Sequence, residues 1–208
     1  MKQQIVVIGG GTTFDEYEDY ISYLKVHRDA SIEKFKPQED WKDSLSTELG
    51  SDYEVFQPQM PNRNNARYEE WKIWFERMIP FINDGVVLIG HSLGGMFLAK
   101  YLSEQIFPKR IRATILIAAP FDDLGRDRRE FALPNSLQRF SEQSEQVYLM
   151  HSKDDTVVSF EHFNKYQKAL PNAVSVIFED RQHFNQGSFP EIVKLLKDLK
   201  LTPTGTPR

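Results

Sequence analysis

Cysteine is missing from all 208 residues, which excludes disulfides, thiolate metal sites, iron–sulfur clusters and a cysteine nucleophile together. Long apolar runs are missing too. The longest, around 86–90 and 113–120, have strand length and fall far short of the roughly 18 residues of a membrane span. The opening residues MKQQIVVIGGG hold one lysine and a four-residue apolar run, too little for a secretory signal. No N-x-[ST] acceptor occurs. Positive charge is not in excess: 26 Lys+Arg against 30 Asp+Glu give a net charge of −4, which offers nucleic acid no electrostatic footprint. H-E-x-x-H, P-loop and EF-hand patterns are also absent, so no motif asks for a metal or cofactor. The expectation is a cytoplasmic protein whose partner is a small molecule.

What is present suffices for a core. Hydrophobic residues make up 40 % and aromatics 12 %, which separates the chain from disordered sequences. At this length one domain is expected, burying roughly 70 % of the surface that the unfolded chain exposes. Six short apolar runs read as strands: Ile5–Ile8, Tyr53–Phe56, Val86–Ile89, Ala113–Ala118, Val147–Met150 and Val174–Phe178. Helix-period stretches lie between them over 66–82, 93–106 and 190–200, for example Tyr68, Trp71, Phe75 and Met78. Strand–helix alternation predicts an α/β fold with a mainly parallel sheet of about six strands and helices on both faces.

Two segments exceed a minimal rhythm. Residues 12–50 separate the first two strands, and residues 121–145 carry the charged run DDLGRDRRE and a short helix after Pro134. Both follow a strand, so both emerge at the carboxyl edge of a parallel sheet, where ligands bind. The first reads either as two solvated helices or as a pocket wall. The last residues, LTPTGTPR from Leu201, have no apolar period and read as a flexible tail.

Gly90-His91-Ser92-Leu93-Gly94 matches G-x-S-x-G between an apolar run and a helical pattern. That pattern suits a serine nucleophile on a tight strand-to-helix turn, where glycines let neighbouring backbones approach. The following helix aims its first N–H groups at a developing oxyanion. A hydroxyl also needs a base, and the base needs an orienting carboxylate. In the order Ser, acid, His, only His183 follows the last strand. His151 precedes both candidate acids, His162 reads as a helical surface or partly packed residue, and His91 as a side chain packed beside the turn. The acid is Asp154 or Asp155, in V-Y-L-M-H-S-K-D-D-T-V-V after the fifth strand. Oxyanion donors are expected from the Leu93 N–H and from Gly10 or Gly11 in the loop after the first strand. The rival reading of that loop, a dinucleotide fingerprint, lacks its third glycine, since Phe14 stands there.

I-G-H-S-L-G-G near residue 90, S-K-D-D-T-V-V at 152–158 and Q-H-F-N at 182–185 together resemble α/β-hydrolases. W-K-D-S-L and Q-P-Q-M-P narrow the likeness to the small serine hydrolases grouped with a retinoblastoma-binding protein. The resemblance implies a three-layer α/β-hydrolase fold without a large lid and a triad of Ser92, Asp155 and His183. It also implies an insertion over 14–38 near the pocket mouth, with residues 1–200 as one domain and 201–208 as a tail. Asp155 is favoured because it stands three residues before the second of two apolar positions. Chemically, Lys153 beside Asp154 offers that second carboxylate a cation. Two positions depart from the group, Gln182 where glycine is frequent and Ser159 where proline is. A retinoblastoma-type L-x-C-x-E contact is impossible without cysteine. The expected activity is hydrolysis of small esters, thioesters or amides, and the alternative is a non-catalytic binding protein on the same scaffold.

Overall fold

The apolar runs become strands because each is covered on both faces. A computed structural model describes residues 2–26, 32, 36, 39–122 and 129–201. Strands β1 (Gln3–Ile8), β2 (Tyr53–Phe56), β3 (Val86–His91), β4 (Ile111–Ile117), β5 (Val147–Ser152) and β6 (Val174–Phe178) form one sheet of order β2-β1-β3-β4-β5-β6. Every pairing is parallel. The helices are α1 (Tyr17–Val26), α2 (Trp41–Leu49), α3 (Tyr68–Met78), α4 (Leu93–Glu104), α5 (Gln138–Gln143), α6 (Phe160–Ala169) and α7 (Pro190–Leu201). The predicted α/β-hydrolase-like architecture is the observed one, and no separate lid domain stands over the sheet among the described residues.

Side chains alternate across the pleat and build two cores. Val6, Ile8, Val86 and Leu88 face one layer, against Trp71 and Phe75 of α3, Phe97 and Tyr101 of α4, and Phe163 and Tyr166 of α6. Ile5, Val7, Val87 and Ile89 face the other, against Trp41, Leu45 and Leu49 of α2 and Ile192 and Leu196 of α7. Phe97 is a keystone of the first layer, its ring 5.7 Å from Trp71 and 5.5 Å from Phe75, both edge-on. Truncating such a ring to alanine costs about 3–5 kcal/mol.

Two expectations need correction. Helix α2 is not solvated: Trp41, Leu45 and Leu49, spaced by four, are buried against the sheet, while α1 buries nothing. Leu201 closes α7 rather than opening a tail, and residues 202–208 lie outside the described residues. Most of the charged run after Pro120 (123–128) and parts of the expected insertion (27–31, 33–35, 37–38) also lie outside them.

The topology fixes where a ligand fits. From β1 the chain passes to β2 on one side, and β3 lies on the other. The loops leaving β1 and β3 therefore diverge and open a crevice at the sheet's carboxyl edge. The Gly9–Gly11 loop follows β1, and Ser92 follows β3.

Candidate active site

Ser92 links β3 to α4 with φ 54° and ψ −125°, a left-handed conformation that a non-glycine residue adopts only under constraint. The constraint is close packing. A Cβ on Gly94 would lie 2.2 Å from the Ile8 carbonyl oxygen, and one on Gly90 would lie 2.5 Å from Gly95 Cα. Only glycine lets β3, α4 and the end of β1 approach this far. The Ser92 N–H donates to the Ile117 carbonyl at 2.9 Å, which fixes the turn to β4. Leu93 opens α4, so its N–H is among the first-turn donors that have no intrahelical acceptor.

The β1 loop lies against this turn. A Cβ on Gly10 would sit 3.1 Å from Ser92 Cβ and 3.5 Å from its Oγ, whereas one on Gly11 would meet Arg63, Trp71 and Leu93. Gly10 is thus the glycine whose backbone borders the hydroxyl. Thr12 is tied away, its N–H donating to the Arg63 carbonyl at 2.8 Å and its carbonyl accepting from the Ala66 N–H at 2.8 Å.

His183 and Asp155 meet directly. His183 Nδ1 lies 2.8 Å from Asp155 Oδ2, with the carboxylate side chain fully buried. A carboxylate accepts, so Nδ1 carries the proton and Nε2 keeps its lone pair for the cleft. Asp155 Oδ1 accepts the N–H groups of Val157 and Val158 at 2.8 and 2.9 Å, a turn of backbone that holds the carboxylate still. Ser92, His183 and Gly10 line one cleft of about 680 Å³.

Asp154 points elsewhere. It is exposed, and its Oδ1 accepts from the Ser152 hydroxyl at 2.5 Å and the Gln182 N–H at 2.8 Å. The Ser152 hydroxyl bond, first among the causes, holds its carboxyl below the usual range. Lys153 does not neutralise it, because that ammonium pairs with Glu179 at 2.6 Å across the sheet edge. The proximity argument from sequence fails because both residues stand in the turn after β5, where Glu179 from the end of β6 takes the ammonium instead.

The fold has counterparts. A family model described as a serine hydrolase matches residues 34–198. The chain belongs to the serine hydrolase family. No curated protein matches it. Among solved structures, the ydeN gene product of B. subtilis is similar at TM-score 0.76 and 19 % identity over 97 % of this chain and 100 % of that one. An esterase domain from Rhodothermus marinus is similar at 0.55 and 18 %, over 95 % and 84 %. A thioesterase domain from the curacin biosynthetic pathway reaches 0.59 at 13 %, over 97 % and 92 %. At these identities the likeness is one of fold, the α/β-hydrolase fold.

Among the described residues, the other histidines of this serine hydrolase are structural neighbours with defined partners. His91 is buried behind His183, their ring centroids 5.0 Å apart, and its Nε2–H donates to the His183 carbonyl at 2.8 Å. Burial holds its pKa well below the usual imidazole range, and the nearby Lys42 and His183 push the same way. His151 donates from Nε2 to the Val158 carbonyl at 2.8 Å and lies 3.7 Å from Asp155 Oδ2, with burial lowering its pKa. His162 is buried, not a surface residue, because the Phe121 N–H donates to its Nδ1 at 3.1 Å. That partner is 41 residues away in sequence, which is why the local pattern missed it.

Sequence reasoning also missed how the His183 loop is held. The Trp41 N–H donates to the Gln186 carbonyl at 2.8 Å, and its indole N–H donates to the Phe184 carbonyl at 3.0 Å. The start of α2 therefore ties that loop down at two points just after His183. Asp40 caps the helix by accepting the Lys42 N–H, with Asp43 returning a bond to the Asp40 N–H. The D-x-x-D spacing before Leu45 was the legible signal for this helix start.

Proposed function

We propose that this serine hydrolase cleaves small carboxylic esters and thioesters, with amides as slower substrates, through an acyl-enzyme formed on Ser92. Ser92 Oγ attacks the carbonyl carbon while His183 Nε2 takes its proton. The tetrahedral oxyanion accepts from the N–H groups of Leu93 and Gly10. Collapse breaks the bond to the leaving group, which departs with the proton from His183. Water then repeats the sequence and releases the acid. Asp155 keeps the imidazole in the tautomer that has Nε2 free.

The observation that carries this reading is the buried 2.8 Å contact between His183 and Asp155 in the cleft that the strained Ser92 enters. Burial strengthens that contact relative to water, and the second imidazole near Asp155, that of His151, stands farther off at 3.7 Å. The narrower likeness to the small hydrolases grouped with a retinoblastoma-binding protein supports the same assignment of roles.

The test is covalent labelling. Wild-type protein should take up one fluorophosphonate per chain by intact mass and hydrolyse 4-nitrophenyl acetate, whereas Ser92→Ala should do neither while melting normally. Loss of a triad nucleophile costs about 10⁶ in kcat. Turnover by Ser92→Ala above a tenth of wild type would sink the mechanism.

A further inference from the structure

Two cations in the cleft have no part in the chemistry above. Lys42 projects from the first turn of α2, its side chain 13 % exposed and its ammonium paired with Asp40. The ammonium also lies 5.0 Å from the Trp41 ring centroid. Arg63 stands in the loop between β2 and α3. Its carbonyl is used by the Thr12 N–H, but its guanidinium has no ion pair or hydrogen bond among the described residues. Both side chains line the cleft that holds Ser92 and His183. They also feel one another, since Arg63 is among the charges that lower the Lys42 pKa, after burial as the main cause.

The balance of donors and acceptors decides what such a cleft can bind. An ammonium has three N–H donors and a guanidinium five. Asp40 answers Lys42, and nothing among the described residues answers Arg63. The acids nearby are committed: Asp40 also takes the Lys42 N–H, and Asp43 takes the Asp40 N–H. Glu39 is exposed and solvated. Donors are thus left over in a partly enclosed space where charge-assisted bonds are stronger than in bulk water. Apolar partners are few, with Val7, Pro58, Met60 and Val157 the aliphatic residues on the walls. A long alkyl chain would find little surface to cover. An anion would find two cations.

We propose that the cleft selects short esters bearing a carboxylate, which the Arg63 guanidinium and the Lys42 ammonium hold while Ser92 attacks the ester carbonyl. The inference rests on the hydrolytic reading and names its substrate class. The carboxylate can lie on the acyl side or on the leaving group, and the assay separates the two.

Two pairs of esters suffice: 4-nitrophenyl hemiglutarate beside its neutral methyl ester for the acyl arm, and 4-acetoxybenzoate beside phenyl acetate for the leaving-group arm. The ratio of kcat/KM for the charged over the neutral member should be at least tenfold in wild type in one arm, at low salt. It should fall several-fold in 0.5 M NaCl, because a partly exposed ion pair is screened. Arg63→Gln should lower the ratio at least threefold and Arg63→Glu should bring it below one. Arg63 is exposed, so neither variant threatens the fold. Lys42→Met should lower the ratio as well. Turnover of neutral esters with a wild-type ratio at or below one in both arms overturns the inference alone, as does a ratio that neither Arg63 variant moves. Absence of both turnover and fluorophosphonate labelling overturns the hydrolytic reading, and the substrate class falls with it.

Discussion

Replacing Asp155 by asparagine changes one atom and separates the two candidate acids. Three bonds converge on Asp155: the Val157 and Val158 N–H groups at 2.8 and 2.9 Å on Oδ1, and His183 Nδ1 at 2.8 Å on Oδ2. In asparagine the backbone donors keep the amide oxygen at the Oδ1 position, so the NH₂ turns toward His183. It donates where a carboxylate accepts, and Nδ1 must then accept. The proton moves to Nε2, and the lone pair that should take the Ser92 proton is lost. In a serine protease the equivalent tautomer error costs about 10⁴ in kcat. Stability should fall too. Three charge-assisted bonds, of about 1.5–3 kcal/mol each, become two neutral ones of about 0.5–1.5 and one reversed contact, a loss on the order of 3 kcal/mol. For a chain of this size that lowers Tm by about 6–12 °C. Asp154→Asn retains an oxygen for the Ser152 hydroxyl and Gln182 N–H on an exposed side chain, and should lose less than tenfold in kcat. Steady-state hydrolysis of 4-nitrophenyl acetate with differential scanning calorimetry measures both. A larger loss from Asp154→Asn than from Asp155→Asn would refute the assignment.

Burial lowers the pKa of His91 and His151 in the folded protein, so below their ordinary value of about 6.5 the unfolded chain binds more protons. Stability should therefore fall as pH drops from about 6.5, by up to about 1.4 kcal/mol per pH unit for each histidine. Urea melts of His91→Gln between pH 7 and 5.5 should show a visibly shallower decline, and an unchanged slope would contradict the burial argument. Gly94→Ala would drive a methyl to 2.2 Å from the Ile8 carbonyl, so Tm should fall by at least about 5 °C and fluorophosphonate labelling should weaken; a variant that melts and labels normally would show the turn is not sterically locked. Tyr17 and Tyr20 line a second depression that shares Met60, Arg63 and Asn64 with the main cleft, on a helix that buries nothing. Their replacement by alanine should shift acyl preference or KM with little change in Tm, and an unchanged substrate profile would make α1 a solvated helix only.

How much of this was legible in the sequence follows from what each residue answers to. The strands were readable because a sheet buried on both faces writes continuous apolar runs, as in Ile5–Ile8 and Val86–Ile89. Their ends were not. β3 continues through Gly90 and His91 and β5 through His151 and Ser152, where polar residues start at the edge that carries the site. The apolar code stops where function takes over the side chains. The convergence of Ser92 and His183 on one cleft was legible from motif and chain order, since the topology sends successive strand ends to one edge. The burial of α2 was written in the four-residue spacing of Trp41, Leu45 and Leu49 but masked by the charges between them. Nothing local encodes partners such as Glu179 for Lys153, Phe121 for His162 or Arg63 for the cleft, because each contact joins segments that only the folded sheet brings together.

The distribution of backbone strain makes an argument of its own. Among the described residues five non-glycines have positive φ: Asn62, Ser92, Ala118, Gln182 and Phe184. Four of them adjoin the site. Ser92 carries the hydroxyl, Ala118 lies next to Ala119, whose Cβ packs at Gly95, and Gln182 and Phe184 flank His183. A left-handed non-glycine residue costs about 1–2 kcal/mol, so the four together approach the whole net stability of a typical domain. Such conformations persist only where surrounding structure over-determines them. Here the restraints are hydrogen bonds from each residue's own backbone: the Ser92 N–H on Ile117, the Ala118 N–H on Met150, the Gln182 N–H on Asp154 and the Phe184 N–H on Arg181. Gln182 is the informative case. Glycine, frequent at this position in the group the sequence resembles, would relieve its strain at φ 48°. Among the described residues the side chain makes no compensating bond, while the backbone N–H that reaches Asp154 would survive the change. The strain at Ser92 is different in kind, because the φ that costs energy is also what lifts the hydroxyl off the sheet edge toward Gly10. Strain at Gln182 is thus removable, and strain at Ser92 is the geometry of the proposed nucleophile itself.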